Sequence, residues 1–278
     1  MKNVSFGHDV LPAIGMGSWN LGQQRKSAKE EIEAIQAGLD VGLKLIDSAE
    51  MYGNGASEQL IGKAISGRRD ETFLVSKVYP FNAGGKALVN ACEASLRRLK
   101  TDRLDLYLLH WAGDIPLEET INGFEKLQSA GKIRYWGISN FDINELQDMY
   151  DHLAGGRYCA TNQVLYNLGS RGIDYSLLNW CRHKKMPLMA YSPLGSGNQL
   201  LRHPTLKMIA QKYQVVPATV ALAWVIRGDG IVAIPESGSR AHMLQNAHAC
   251  QLVLDNDDIA LLDESFPPPT HKQYLDIL

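Results

Sequence analysis

The chain has 278 residues, 45% of them hydrophobic, and a formal net charge of −2. That is enough apolar material for a large core, and it excludes both a disordered chain and a strongly basic surface, so no nucleic-acid partner is expected. Length alone leaves one large domain or two average ones open.

The opening stretch, MKNVSFGHDV, has no apolar core of signal-peptide type, and the longest apolar run, at 218–226, is about half of what a bilayer span needs. A cytoplasmic protein without a membrane partner is expected. Cys92, Cys159, Cys181 and Cys250 lie far apart with no CxxC pair, and His242 and His248 lack the spacing that aims two imidazoles at one metal. No metal site is predicted.

In chain order, VSFGHDV at 4–10 reads as a small hairpin and residues 15–18 as a short first strand. Branched aliphatic runs of strand length follow: LKLID at 43–47, TFLVSK at 72–77, LDLYLLH at 104–110, YWGISN at 135–140, ATNQV at 160–164, LMAYS at 188–192 and IVAIP at 231–235. Helix-length segments separate them. The clearest apolar stripes are Leu88, Ala91, Cys92, Ser95, Leu96 and Leu99, then Leu206, Ile209, Ala210 and Tyr213, while another helix should begin near Arg240. An extra helix at 257–266 would carry Ile259, Leu262 and Phe266 inward. Eight strand and helix repeats at roughly thirty-residue spacing, with no linker between them, predict an α/β fold. The expectation is a single (β/α)8 TIM barrel spanning 1–278, with an N-terminal β-hairpin and an extra C-terminal helix.

In such a barrel the site is built at the C-terminal ends of the strands. Asp47 closes the second strand, Lys77 the third and His110 the fourth; Ser139 and Asn140 close the fifth, Gln163 the sixth and Tyr191 and Ser192 the seventh, while Ser237 follows the eighth. Each alone suits a structural role. Asp, Lys and His on three adjacent strands, with Tyr52 on the loop after the first of these, form one set of titratable groups around a cavity. The set suits general acid catalysis on a carbonyl. Tyr52 would donate the proton, Lys77 would lower the Tyr52 pKa, Asp47 would hold Lys77 charged, and His110 would hydrogen-bond the substrate oxygen. No side chain serves as nucleophile, because a nicotinamide hydride would.

The motifs GMGSW at 15–19, LIDSAEMYGNG at 45–55, LVSKV at 74–78, LDLYLLHW at 104–111, GISNF at 137–141, NQVLYN at 162–167, AYSPLG at 190–195 and IPESGS at 234–239 together resemble the aldo-keto reductases over nearly the whole chain. The resemblance implies a catalytic tetrad of Asp47, Tyr52, Lys77 and His110. It also answers an objection, since no GxGxxG follows a strand and GMGSWN has Asn20 in the last position. These reductases lay the dinucleotide across the barrel mouth. Gly17, Ser18, Trp19 and Asp47 would then border the cofactor, with Ser139, Asn140 and Gln163 suited to its carboxamide and the Tyr191 ring to stacking. The small-residue loop of Ser192, Pro193, Leu194, Gly195 and Ser196 would let backbone N–H groups approach the pyrophosphate.

The segment after the eighth strand departs from the family. Relatives follow IP with a lysine, then an arginine, then Glu-Asn; here stand Pro235 and Glu236, His242, and Gln245 with Asn246. Glu236 should repel a 2′-phosphate, which leaves NADH open as cofactor. Ser237 and Ser239 hydroxyls, close approach at Gly238 and the helix start near Arg240 favour an anion. Arg240 or protonated His242 would supply the cation, with Glu236 turned to solvent, so NADPH is the expected preference.

Trp19, Tyr79 and Trp111, beside Tyr52 and His110, should form an apolar substrate rim. A short loop at 112–116 and a short tail after Pro269 suggest an open pocket. The resemblance is to the bacterial methylglyoxal-reducing group, which implies 2-oxoaldehydes as small-molecule substrates; a monomer is expected. Two alternatives keep some of the same residues: a non-catalytic nicotinamide-binding sensor, and an aldolase using Lys77 as a Schiff-base amine.

Overall fold

The computed structural model describes residues 1–197 and 199–278. β1 (Asn3–Phe6) and β2 (Asp9–Pro12) form an antiparallel hairpin turned at Gly7, whose φ is +56°. Its Phe6 ring packs 5.6 Å from Phe73, the first residue of the third barrel strand, so the hairpin closes the N-terminal end of the barrel.

The barrel strands are β3 (Met16–Gly17), β4 (Leu45–Asp47), β5 (Phe73–Val78), β6 (Leu104–Leu109), β7 (Ile133–Ser139), β8 (Asn162–Leu165), β9 (Leu188–Tyr191) and β10 (Ile231–Ala233). They pair in parallel and in chain order. The ring closes where Gly15 N–H donates to Ala233 O at 2.8 Å and Gly17 N–H to Pro235 O at 3.0 Å. Most of these strands are buried at nearly every residue, as expected when side chains fill the barrel on one face and helices cover the other. Continuous aliphatic runs are what that environment selects.

The covering helices are α1 (Ala28–Asp40), α2 (Ala56–Ala64), α3 (Gly85–Leu99), α4 (Leu117–Ser129), α5 (Ile143–His152), α6 (Leu177–His183), α7 (Pro204–Lys212), α8 (Pro217–Val225) and α9 (Arg240–His248), with α10 (Asn256–Ser265) as the extra helix. The α3 stripe predicted from its spacing is the buried face of that helix. In α10, Leu262 is fully buried, with Ile259 and Phe266 packed against the core. The apolar run at 218–226 is α8, sheathed by protein. No helix among the described residues is long and apolar enough to cross a membrane. The four cysteines are buried free thiols, and no cluster of potential metal ligands occurs among the described residues.

One expectation fails. The tail beyond α10 is not too short to reach the barrel mouth: residues 267–278 can span about 40 Å when extended. They run back across the opening, pinned where Lys272 Nζ pairs with Asp142 at 2.6 Å and Leu278 N–H lies 3.4 Å from Tyr191 OH.

Candidate active site

The site begins at the end of β4, where Asp47 is followed by a loop that turns sharply after Tyr52. Gly53, Asn54 and Gly55 all take positive φ, of 56°, 52° and 85°. Glycine removes the steric cost at two of those three positions, and the turn sends the chain into α2 while leaving the Tyr52 side chain inside the mouth.

β5 brings Lys77 to the same point from the adjacent strand. Its Nζ is fully buried and donates to Asp47 Oδ2 at 2.7 Å, Ser48 O at 2.8 Å and Tyr52 OH at 2.9 Å. An ammonium has three donors, and all three are used. Burial pulls the Lys77 pKa down from its ordinary value, against the pull of the Asp47 carboxylate. Asp47 Oδ1 accepts from Gln163 Nε2 at 2.8 Å, so the carboxylate is held on both oxygens.

Because the Tyr52 oxygen accepts from Lys77, its own O–H must point elsewhere, and Tyr52 borders the cavity together with His110. The two rings meet edge-on with centroids 5.8 Å apart. The net shift of the Tyr52 pKa is upward, not the lowering that the Lys77 cation alone would give. Burial raises it well above the ordinary value, and the Asp47 and Glu236 carboxylates push in the same direction. The Lys77 ammonium, 2.9 Å away, still favours the phenolate, but burial and the two carboxylates outweigh it, so the phenol stays protonated.

His110 is held neutral. Burial and the nearby Lys77 cation drop its pKa to about 2. Its Nδ1 is sealed with no hydrogen-bond partner, which is tolerable for a bare acceptor and costly for an N–H. The proton therefore belongs on Nε2, making that atom a donor.

The cavity is lined by Gly17, Ser18, Trp19, Asp47, Tyr52, His110, Ser139, Asn140, Gln163, Tyr191, Ser192 and Glu236, all named from the sequence. Met51, Ile234 and Leu278 were missed. Met51 could have been inferred from its place beside Tyr52; the other two carry no polar signal. Asn140 Nδ2 donates to His110 O at 3.2 Å and its Oδ1 accepts from Tyr191 OH at 3.0 Å, while Ser139 Oγ donates to Gln163 O. One Asn140 N–H and Gln163 Oε1 stay free of these bonds. They are a donor and an acceptor complementary to a carboxamide, so the residues fit a nicotinamide. Gly17 is required by the seam itself, since a Cβ there would stand 2.6 Å from Ile234 O.

Other predicted residues lie further out. Gly195 and Ser196 border a separate groove with Asn167 and Leu200, with Pro193 and Leu194 leading into it. Ser237 and Ser239 are bonded to each other through Ser237 Oγ at 3.1 Å from Ser239 N, at the start of α9. Arg240 and His242 are exposed on that helix, Asn246 is buried, and the Gln245 carbonyl accepts from Thr219 Oγ1 at 3.1 Å.

Trp111 faces a neighbouring groove that it shares with His110 and the tail. Tyr79 stands behind it, in an edge-on contact at 5.9 Å, and does not line the central cavity. Glu236 is exposed to solvent, as expected, but its carboxylate is tethered. Its Oε2 accepts from Asn20 N at 2.8 Å and Asn20 Nδ2 at 3.0 Å, because the Gly17 pairing at the seam brings the loop after β3 against it.

An eight-stranded parallel barrel with a buried Asp-Lys pair, a protonated tyrosine and a neutral histidine at its mouth defines an enzyme equipped for acid chemistry on a polar oxygen. Residues 13–266 match the profile of the aldo/keto reductase family, and the chain belongs to that family of oxidoreductases. It is 50% identical to methylglyoxal reductase YeaE of Escherichia coli over all of this chain and 99% of that one. It is 32% identical to glyoxal reductase of Bacillus subtilis over 91% and 88% of the two chains. The crystal structure of an aldo/keto reductase from Klebsiella pneumoniae in complex with NADP and acetate superposes with a TM-score of 0.97 at 48% identity, covering 100% of this chain and 99% of that one.

Proposed function

We propose that this chain is an NADPH-dependent reductase of small aldehydes, 2-oxoaldehydes such as methylglyoxal first among them, with Tyr52 as the proton donor. The observation that carries the acid assignment is the Lys77 bond to Tyr52 OH, which leaves the phenolic proton free for the cavity. NADPH, when bound, supplies the hydride that adds to the carbonyl carbon. The carbonyl oxygen takes hydrogen bonds from Tyr52 O–H and His110 Nε2–H, and both donors become stronger partners as negative charge grows on that oxygen. Tyr52 then gives up its proton, and the Lys77 ammonium 2.9 Å away stabilises the phenolate left behind. Asp47 and Gln163 keep Lys77 in position. A high Tyr52 pKa is no obstacle, because an alkoxide is a far stronger base than a phenolate.

Ser139, Asn140, Gln163 and the Tyr191 ring form the nicotinamide seat in this reading, and the segment from Pro235 through Asn246 the adenosine end. Supporting the cofactor and substrate are the Klebsiella enzyme's complex with NADP and the activity for which the Escherichia coli relative is named. In this reading the chain acts as a single-domain, monomeric, cytoplasmic enzyme, its whole site carried by one barrel. The aldolase reading loses its nucleophile, since all three Lys77 N–H bonds are engaged and its lone pair carries a proton.

The test is NADPH consumption by the purified protein across a panel of methylglyoxal, glyoxal, aromatic aldehydes and bulky ketones. Turnover highest for the 2-oxoaldehydes is the expected result. A strong preference for bulky ketones would overturn the substrate assignment, and no turnover with bound NADPH would favour the sensor reading.

A further inference from the structure

Glu236 poses a problem for any ligand carrying a phosphate at the start of α9, and Glu31 on α1 stands nearby, its Cγ 3.2 Å from where a Gly238 Cβ would be. Two carboxylates beside one anion should repel it unless cations face them. The loop between β3 and α1, residues 18–27, meets this requirement. Its root is fixed: Asn20 holds Glu236 through two hydrogen bonds, Gly22 N–H donates to Glu31 Oε2 at 2.9 Å, and Leu21 is buried. Leu21 and Lys26 both lie against Gly238, where an ideal Cβ would stand 3.4 Å from Leu21 Cδ2 and 3.4 Å from Lys26 Cδ.

The outer part of the loop carries two exposed cations, Arg25 and Lys26, and neither forms an ion pair among the described residues. The Lys26 stem lies against Gly238 and Arg25 is the residue before it; burial pushes the Glu236 carboxyl up, and Arg25 acts against that shift. The two cations therefore stand on the stretch of loop that borders Gly238. On the helix side, Arg240 and His242 are the competing cations, also exposed.

We propose that Arg25 and Lys26 are the residues that hold the adenosine 2′-phosphate of NADPH, closing over the Ser237–Gly238–Ser239 backbone while Asn20 keeps Glu236 away from the phosphate. The inference rests on the NADPH reading above and assigns its selectivity to a different element, the loop after the first barrel strand. Gly238 is part of the arrangement, because any side chain there would press on Leu21, Lys26 and Glu31.

The test is equilibrium binding of NADPH and NADH, followed by quenching of protein fluorescence, in wild type, Arg25→Ala/Lys26→Ala, Arg25→Lys/Lys26→Arg and Arg240→Ala. A charge-assisted contact to each cation predicts that the double alanine variant loses NADPH affinity on the order of 10- to 100-fold while NADH affinity changes by less than about 2-fold. The charge-conserving variant should keep most of the NADPH preference. An unchanged ratio of the two affinities in the double alanine variant would overturn the proposal, as would equal weakening of both cofactors, which marks a merely structural loop. A ratio that collapses in Arg240→Ala but not in the loop variant would move the role to α9. A wild type that prefers NADH would instead remove the NADPH reading on which the inference stands.

Discussion

Lys77 makes three hydrogen bonds with three protons, and that one coordination fixes what its neighbours can do. Tyr52 is left as a donor with its oxygen anchored. Tyr52→Phe removes only that donor, so carbonyl reduction should fall by ~10²–10⁴-fold while the NADPH Kd stays near wild type. Near-normal turnover would show that another group supplies the proton. The sign of the pKa shifts gives a second prediction. Burial favours neutral forms, so it lowers the histidine to about 2 and raises the tyrosine, and each is already in its working state on either side of pH 7. Reduction of a neutral aldehyde should therefore show kcat/KM nearly flat between about pH 5 and 9, with no limb near the ordinary histidine value. A limb near pH 6.5 that disappears in His110→Ala would contradict a neutral His110. The four residue identities were legible in the sequence because strand ends in a barrel converge. The direction of the Tyr52 shift was not, because it depends on how deeply the phenol is buried and on whether the carboxylates and that burial outweigh the Lys77 charge.

Strands were the most legible elements, since a barrel strand buried on both faces selects apolar runs and the chain carries strand-length ones at seven of the eight positions, the short Met16–Gly17 strand excepted. Their ends were less so: IVAIP extends to Pro235, yet β10 stops at Ala233, beyond which pairing continues only as isolated bridges at the seam. Some charges couple elements in ways no local pattern reveals. Glu58 on α2 is fully buried; it accepts from Ser76 Oγ on β5 at 2.6 Å and Arg98 Nε on α3 at 2.5 Å, tying two helices to the strand that carries Lys77. Sequence separations of 18 and 40 residues hide this link from periodicity. Glu58→Ala would strand the Ser76 hydroxyl and leave Arg98 without its partner. Because the Arg98 side chain is 24% exposed and can partly rehydrate, the expected loss is about 1–3 kcal/mol rather than the full cost of a buried unpaired charge. Urea unfolding monitored by circular dichroism measures it, and a midpoint equal to wild type would mean the network adds nothing to stability.

At the scale of the whole molecule, the far end of the chain returns to the site. Three consecutive prolines, Pro267 to Pro269, cannot continue α10 and lead the backbone away in an extended path. From there the tail crosses the mouth to its Lys272–Asp142 ion pair and the contact of Leu278 with Tyr191. Tyr274, Leu275, Ile277 and Leu278 border the groove shared by Met51, His110 and Trp111. Sequence patterning gave no warning, because a strap without secondary structure has no period and its destination is set by distant partners. The tail is nonetheless lightly held, with Tyr274 95% and Leu278 61% exposed, and an exposed ion pair contributes roughly 0–1 kcal/mol. It can narrow the entrance without adding much to the stability of the barrel. Deleting residues 270–278 should leave the thermal midpoint within a few degrees of wild type, since the core at α10 is retained. The KM for methylglyoxal, small enough to pass beneath the strap, should change little, whereas the KM for bulky aromatic aldehydes should fall by several-fold as the groove opens. Measuring both substrates separates restriction of the entrance from general damage: a truncated enzyme that loses affinity for both would show the tail to be a supporting wall of the site, not a selective cover.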